Sequence, residues 1–172
     1  TTTYQVANAE FEKLGSALTH RAGGTSMLEL GQFRISNVNV ANQEKDILVK
    51  SIKFRNALDG DVAASLANVG LYRNWIKVST NAIMNGKDVT FTLNDTIRAS
   101  ENGLYYIKGE VINVDQTAGD NYQFQLRNTE DLNVIESSTL FRSTVSLKLG
   151  SSYTLAAYLV QWGDVTFTRD ST

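Results

Sequence analysis

The stretch Val89-Thr90-Phe91-Thr92-Leu93 alternates apolar and polar side chains without interruption. Because successive side chains of a β-strand point to opposite faces, this alternation predicts a strand with one buried and one solvent-facing side. The same pattern recurs in residues 28–35, 122–126 and 145–149. Asn-Gly pairs at 85–86 and 102–103 mark tight turns, and no long helical period lies between the strands. We therefore expect an all-β chain folded as an antiparallel β-sandwich, either immunoglobulin-like or jelly-roll.

The alternation changes phase once, within residues 46–55. Ile47 and Val49 share one parity, whereas Ile52 and Phe54 share the other. A β-bulge near Lys50-Ser51 would insert one extra residue and return both pairs to the core face. Residues 57–66 could hold one helical turn, and residues 8–18 have a weak helical period that competes with a strand.

The composition is that of a folded globular chain. A length of 172 residues, with 42% hydrophobic and 20% charged residues, fits a single β-sandwich domain over residues 1–172. The 16 basic residues are scattered among 18 acidic ones, so we expect no nucleic-acid partner, which would require a basic patch. No run approaches the roughly 20 apolar residues that cross a bilayer, and no membrane span is expected.

The sequence offers little catalytic chemistry. It contains no cysteine, and His20 is its only histidine. It also lacks a Gly-x-Ser-x-Gly nucleophile elbow, a phosphate-binding loop and an HExxH motif. We therefore expect a protein that is not an enzyme. A glycoside-cleaving enzyme stays a third hypothesis, because paired carboxylates can come from any two strands.

A calcium ion is the one cofactor that the sequence suggests. Asp115, Asp120 and Asn121 gather oxygen ligands around a glycine within residues 115–121, and Asp59-Gly60-Asp61 forms a second acidic turn. Calcium prefers hard oxygen ligands from such loops. The same residue types are also ordinary turn formers, so the alternative is that both segments are simple turns.

Residues 164–170 resemble residues 8–14 at a spacing of 156. In that register Asp164 matches Asn8, Val165 matches Ala9, Phe167 matches Phe11 and Arg169 matches Lys13. The chain then holds one repeat and the opening strand of another, or else two unrelated strands. Proline, one of the devices that block strand edges, is absent.

An ordered set of segments carries a resemblance to a known class of repeats. The segments are residues 22–35, 46–54, 66–73, 86–93 and 163–170. In this order they resemble the β-sandwich repeats of large bacterial cell-surface and S-layer-like proteins. The resemblance implies an extracellular scaffolding or adhesive role at the cell surface, with no catalytic residues to transfer. Such repeats usually stand in tandem with prolines at their junctions, whereas this chain has one unit and no proline.

The leading hypothesis is a structural subunit or repeat of an extracellular polymer, either a filament or an S-layer-like sheet. A terminal segment, about residues 1–14 or 158–172, would leave its own fold and complete the sheet of a neighbouring copy. Tyr4, Val6 and Phe11 at one end, or Val165 and Phe167 at the other, would enter the neighbour's core. Such a head-to-tail contact produces a homopolymer unless it closes into a ring.

The alternative is a carbohydrate-binding or adhesive β-sandwich module. Trp75, Tyr105 or Tyr106 would then be exposed and would stack on the sugar rings of surface glycans. Against this stands the interpretation that the two tryptophans, Trp75 and Trp162, are core or sheet-edge residues.

Overall fold

Two β-sheets pack face to face around one apolar core. The computed structural model describes residues 3–22, 27–38, 44–58, 60–112 and 120–162. The strands in this part of the chain are β1 (Asn8–Lys13), β2 (Leu18–Ala22), β3 (Met27–Val38), β4 (Ile47–Asn56), β5 (Leu66–Arg73), β6 (Ile76–Lys77), β7 (Ser79–Asn85), β8 (Asp88–Ile97), β9 (Asn102–Val111), β10 (Asp120–Tyr122), β11 (Phe124–Gln125), β12 (Leu132–Glu136), β13 (Thr144–Leu147) and β14 (Tyr158–Trp162). A short helix α1 (Val62–Ser65) precedes β5, and a 3₁₀ turn (Thr129–Asp131) precedes β12.

The strands form two large sheets and one small sheet. The six-stranded sheet has the order β13-β1-β3-β9-β5-β6, and the five-stranded sheet has the order β11-β4-β8-β7 with β12 also paired to β4. A three-stranded sheet, β10-β14-β2, lies beside them. The expected β-sandwich is therefore confirmed. None of the helices in the described residues has the length and apolar content needed to cross a membrane.

Two strand pairs are parallel, which differs from the purely antiparallel expectation. β1 lies parallel to β13, and β2 lies parallel to β14. Both pairs join an N-terminal strand to a strand from the last third of the chain. Parallel pairing needs a long connection, which the intervening part of the chain supplies. Local alternation carries no information on such distant partners.

The phase change in β4 is a β-bulge, as predicted. The pairing of β4 with β8 shifts register between Val49 and Ser51. The bulge places Ile47 and Val49 on the same buried face as Ile52 and Phe54, and all four side chains are fully buried. The predicted helical turn within residues 57–66 is also present as α1, while residues 8–13 form a strand.

Aromatic rings connect the two large sheets at the centre of the core. Phe33 of β3 stacks on Phe11 of β1 and on Tyr105 of β9, each at 5.3 Å between ring centroids. Across the core it contacts Phe54 of β4 at 5.2 Å. All four rings are fully buried. Phe33 therefore joins three strands of one sheet to the other sheet.

The start of β1 and the end of β14 lie at opposite ends of the molecule. Asn8, where β1 begins, pairs with Val38 at the end of β3, and we name this end the first pole. Trp162, where β14 ends, pairs with Ala22, and only residues 23–26 separate Ala22 from the start of β3 at Met27. This opposite end is the second pole. The twelve residues of β3 separate the poles by roughly 36 Å, at about 3.3 Å per residue.

Candidate functional site

A cluster of aromatic side chains lies on the outer face of the six-stranded sheet. Tyr106 of β9 projects outward, whereas its neighbours Tyr105 and Ile107 are fully buried. Tyr72 of β5 pairs with Tyr106 in the sheet register. We name Tyr72, Trp75, Tyr106 and Lys108 the aromatic platform. It is the strongest candidate for a binding surface in the described part of the chain.

Trp75 occupies an unusual position in this platform. It follows Asn74 in the two-residue turn that joins β5 to β6, where Arg73 pairs with Ile76. Both turn residues have positive φ, 50° for Asn74 and 67° for Trp75. Type I′ hairpin turns require positive φ at both central positions and strongly prefer Asn-Gly. A bulky residue with positive φ is rare, and the side chain of Trp75 is 74% exposed.

Two contacts hold the indole ring of Trp75 in place. Its plane lies at 16° to that of Tyr106, with 5.7 Å between ring centroids. The ammonium group of Lys108 lies 4.3 Å from the Trp75 centroid and 5.3 Å from that of Tyr72. Gln32 fixes the other end of Tyr106, because its Nε2 donates to the tyrosine hydroxyl at 3.3 Å. The ring is therefore positioned before any ligand arrives.

The sequence identified two members of the platform and missed two. The carbohydrate-binding alternative requires Trp75 and Tyr106 to be exposed, and the structure brings them together. Trp75 lies in the turn at the β5–β6 edge of the sheet and not in the core. The expectation that Tyr105 could also be exposed is wrong, since it stacks on Phe33 in the core. Its hydroxyl donates to Asp95 at 2.5 Å, and burial together with the Asp95 charge raises the pKa of Tyr105 well above its usual range. Tyr72 and Lys108 were missed, although the spacing of two between Tyr106 and Lys108 indicates a shared face.

The N-terminal segment predicted to join a neighbouring copy fills a place in its own fold. Phe11 is fully buried in β1, between β3 and β13. Val6 is half-buried, and Tyr4 is 46% exposed. Donation of this segment would therefore require β1 to leave its own sheet. Val165 and Phe167, the candidates at the other end, lie outside the described residues, and pairing between copies stays a prediction.

A buried carboxylate holds the start of this segment. Glu136, at the end of β12, accepts hydrogen bonds from the Tyr4 hydroxyl, from the Ala7 N–H at 2.6 Å and from the Thr139 hydroxyl at 2.6 Å. The Lys45 ammonium lies 3.3 Å from the carboxylate and 3.8 Å from the Tyr4 ring centroid. We name these five residues the Glu136 cluster. It fixes residues 4–7 at the first pole.

Opposing effects set the pKa of Glu136. Complete burial of the side chain raises the pKa, because it disfavours the charged form. The hydrogen bonds from Thr139, Tyr4, the Ala7 N–H and Lys45 outweigh burial and lower the pKa to about 2. Glu136 is therefore a carboxylate at neutral pH, and its ionised form stabilises the docked N-terminal segment.

The predicted calcium ligands are only partly described. Asp115 and Asp59 lie outside the described residues. Asp120 accepts a hydrogen bond from the Tyr122 hydroxyl at 3.4 Å, and the Asn121 carbonyl oxygen accepts one from Asn56 Nδ2 at 3.3 Å. Among the described residues, no group of three or more His, Cys, Asp or Glu side chains is arranged to hold a metal. Calcium binding stays a prediction.

Asp61, from the second acidic turn, has a local structural role. Its carboxylate caps α1 by accepting a hydrogen bond from the Ala64 N–H at 3.1 Å. Asp is among the preferred residues at this position because its oxygen satisfies an unpaired N–H of the first helical turn.

The chain was compared with known protein families, curated sequences and solved structures. No family model and no curated protein sequence matches it. It is similar in fold to a non-cellulosomal cohesin from the hyperthermophilic archaeon Archaeoglobus fulgidus, with 13% identity, a TM-score of 0.39 and coverage of 90% of this chain and 89% of that chain. A family 123 glycoside hydrolase from Clostridium perfringens has 10% identity and a TM-score of 0.35, over 92% of this chain and 28% of that chain. At these values neither similarity indicates a function.

Proposed function

We propose that the chain is a non-enzymatic structural module of an extracellular cell-surface polymer, a filament or an S-layer-like sheet, in which copies follow one another head to tail. The observation that carries this proposal is the placement of the start of β1 and the end of β14 at opposite poles. In a polymer, the first pole of each copy would follow the second pole of the copy before it. Such a contact joins unlike surfaces and therefore propagates.

The likeness between residues 164–170 and 8–14 supports a specific joint. Ala9 and Phe11 are the inward-facing residues of β1, and both are fully buried. Val165 and Phe167 carry apolar side chains at the matching positions. Residues 164–170 therefore have the pattern needed to occupy the β1 position of a following copy, between its β3 and β13.

This joint can be covalent or non-covalent. In a longer chain of tandem repeats, residues 164–170 would simply be the β1 strand of the next repeat. Between separate chains the same strand would have to replace the resident β1, which pairs along Asn8–Lys13 with β3 and along Asn8–Phe11 with β13. Strand addition between separate chains thus requires a vacant β1 position.

Peptide complementation tests the joint directly. A variant that lacks both residues 1–14 and residues 164–172 has a vacant β1 position and no strand to donate. We expect a peptide of residues 8–14 to raise its melting temperature, which shows that the variant can accept a strand. A peptide of residues 164–170 should do the same, and its Val165→Asp, Phe167→Asp form should not, because both side chains must enter the core. Rescue by residues 8–14 but not by residues 164–170 would refute the joint.

Assembly is tested with longer forms of the chain. A variant that lacks only residues 1–14 should form polymers visible by electron microscopy, since its own residues 164–170 can fill a neighbour's vacant position. Deletion of residues 164–172 from that variant as well should leave soluble monomers. Polymers of unchanged length after that deletion would exclude donation by the C-terminal strand. Antibody labelling of intact cells tests the proposed surface location.

A further inference from the structure

The position of Trp75 is the starting point for an inference that goes beyond assembly. The turn conformation at this position favours glycine, and a large side chain there is strained. The side chain is 74% exposed, so burial in the core does not compensate for the strain. Residues held in sparsely populated conformations are concentrated at binding and active sites.

The aromatic platform leaves most of the Trp75 ring free. Tyr106 stacks on the ring, and the Lys108 ammonium lies near its centroid, so these contacts set its orientation. The high exposure of the side chain shows that much of the indole surface still faces solvent. A ring fixed in this way loses little conformational freedom when a ligand binds, which favours affinity.

The surroundings of Trp75 indicate the chemistry of its ligand. A cationic ligand is disfavoured because Lys108 already places an ammonium group among the rings of Tyr72, Trp75 and Tyr106. A protein partner would bury about 800 Å² on this chain, and the centre of such an interface is depleted of charged residues. Farther from the platform, the same sheet face is charged, because Glu12 forms ion pairs with Arg34 at 3.0 Å and with Lys148 at 2.7 Å. This face therefore does not suit a protein partner.

A sugar ring fits an exposed, fixed indole ring with polar groups beside it. A pyranose has a flat face of C–H groups that can stack on an indole, and hydroxyls that can bond to polar neighbours. Gln32, which donates to Tyr106, and Lys77, which pairs with Tyr72 in the sheet register, supply polar groups beside the platform. We propose that Trp75 is a binding residue for pyranose units of a glycan, which stack on the exposed surface of its ring. This inference does not depend on head-to-tail assembly.

The turn itself provides a discriminating variant. Trp75→Gly creates the Asn-Gly pair that a type I′ turn prefers, so we expect the melting temperature to stay within a few degrees of the original or to rise. We expect the same change to weaken glycan binding at least tenfold. Trp75→Phe, which keeps an aromatic ring, should retain part of the binding. Ile83→Ala, which removes an exposed side chain from β7 in the other sheet, should bind like the original chain.

Binding is measured on a microarray of neutral and acidic oligosaccharides and by calorimetric titration with cellohexaose, chitohexaose and mannohexaose. Binding of an oligosaccharide that Trp75→Gly abolishes and Ile83→Ala preserves supports the proposal. It is overturned if the chain binds no oligosaccharide or if Trp75→Gly binds within twofold of the original chain.

Discussion

Glu136 illustrates how a single buried charge can fix a chain segment. An unpaired carboxylate in a protein interior costs several kcal/mol, but here three hydrogen bonds and the Lys45 ion pair compensate. Two of the donors, the Tyr4 hydroxyl and the Ala7 N–H, belong to the N-terminal segment. The N-terminal segment therefore stays docked on the rest of the domain only while Glu136, a residue far away in sequence, is ionised.

Acid should weaken the fold through this residue. The pKa of Glu136 falls from an ordinary 4.5 to about 2 on folding, so its contribution is complete above about pH 4.5 and is lost as the pH falls toward 2. The difference corresponds to roughly 3 kcal/mol of unfolding free energy. We expect Glu136→Gln to lose most of this at pH 7 and little at pH 2, as measured by urea unfolding.

Glu12 provides the matched control for this prediction. It also has a lowered pKa, through its hydrogen bond from Lys148, but its partners Lys148 and Arg34 are at the surface. Glu12→Gln should cost less than about 1 kcal/mol at pH 7. Equal acid sensitivity in Glu136→Gln and the original chain would show that the Glu136 cluster does not stabilise the fold.

Among the elements, β1 is an internal strand of the six-stranded sheet, one position from its edge, although it is the first strand of the chain. It lies between β3 and β13 and contributes Ala9 and Phe11 to the core. Strands with partners on both sides contribute more to a sheet than edge strands, since all their backbone groups can pair. Displacement of β1 by a strand from another copy would therefore break its backbone pairing with both β3 and β13.

Substitutions in β1 test its register. Ala9 is fully buried and points inward, whereas Glu10 is half-buried on the outer face. Ala9→Asp places an unpaired carboxyl group in the core and should destabilise the chain by more than about 3 kcal/mol. Glu10→Gln should change stability by less than about 0.5 kcal/mol. Thermal unfolding of both variants checks this, and similar melting temperatures would mean that β1 is not in the described register.

The bulge in β4 was predicted from the sequence, whereas the inward-facing tyrosine of β9 was not. The phase change at Lys50-Ser51 was readable because apolar residues lie on both sides of it. In β9, by contrast, Tyr105 and Tyr106 are the same residue type at adjacent positions. Their identity does not tell which one faces the core, but their neighbours do, because Tyr105 shares the parity of apolar Ile107 and Tyr106 shares that of Lys108. In the structure Tyr105 stacks on Phe33 in the core.

At the scale of the whole molecule, the separation of the poles sets the geometry of any polymer. The twelve residues of β3 span most of the distance between the poles. Successive copies should therefore repeat at about 40 Å along the axis, given about 3.3 Å per residue plus the connecting turns. Power spectra of electron micrographs measure this repeat. A spacing below about 30 Å or above about 60 Å would contradict end-to-end stacking along the strand direction.

Local sequence patterns predict the class of fold, the positions of several strands, the bulge in β4 and the helical turn near residue 62. These depend on local alternation and turn chemistry, which neighbouring residues define completely. Only the folded chain shows the parallel pairs, the burial of Glu136 and the assembly of the aromatic platform around Trp75. Each of these depends on contacts between residues far apart in the chain, and one sequence contains no local signal for such contacts.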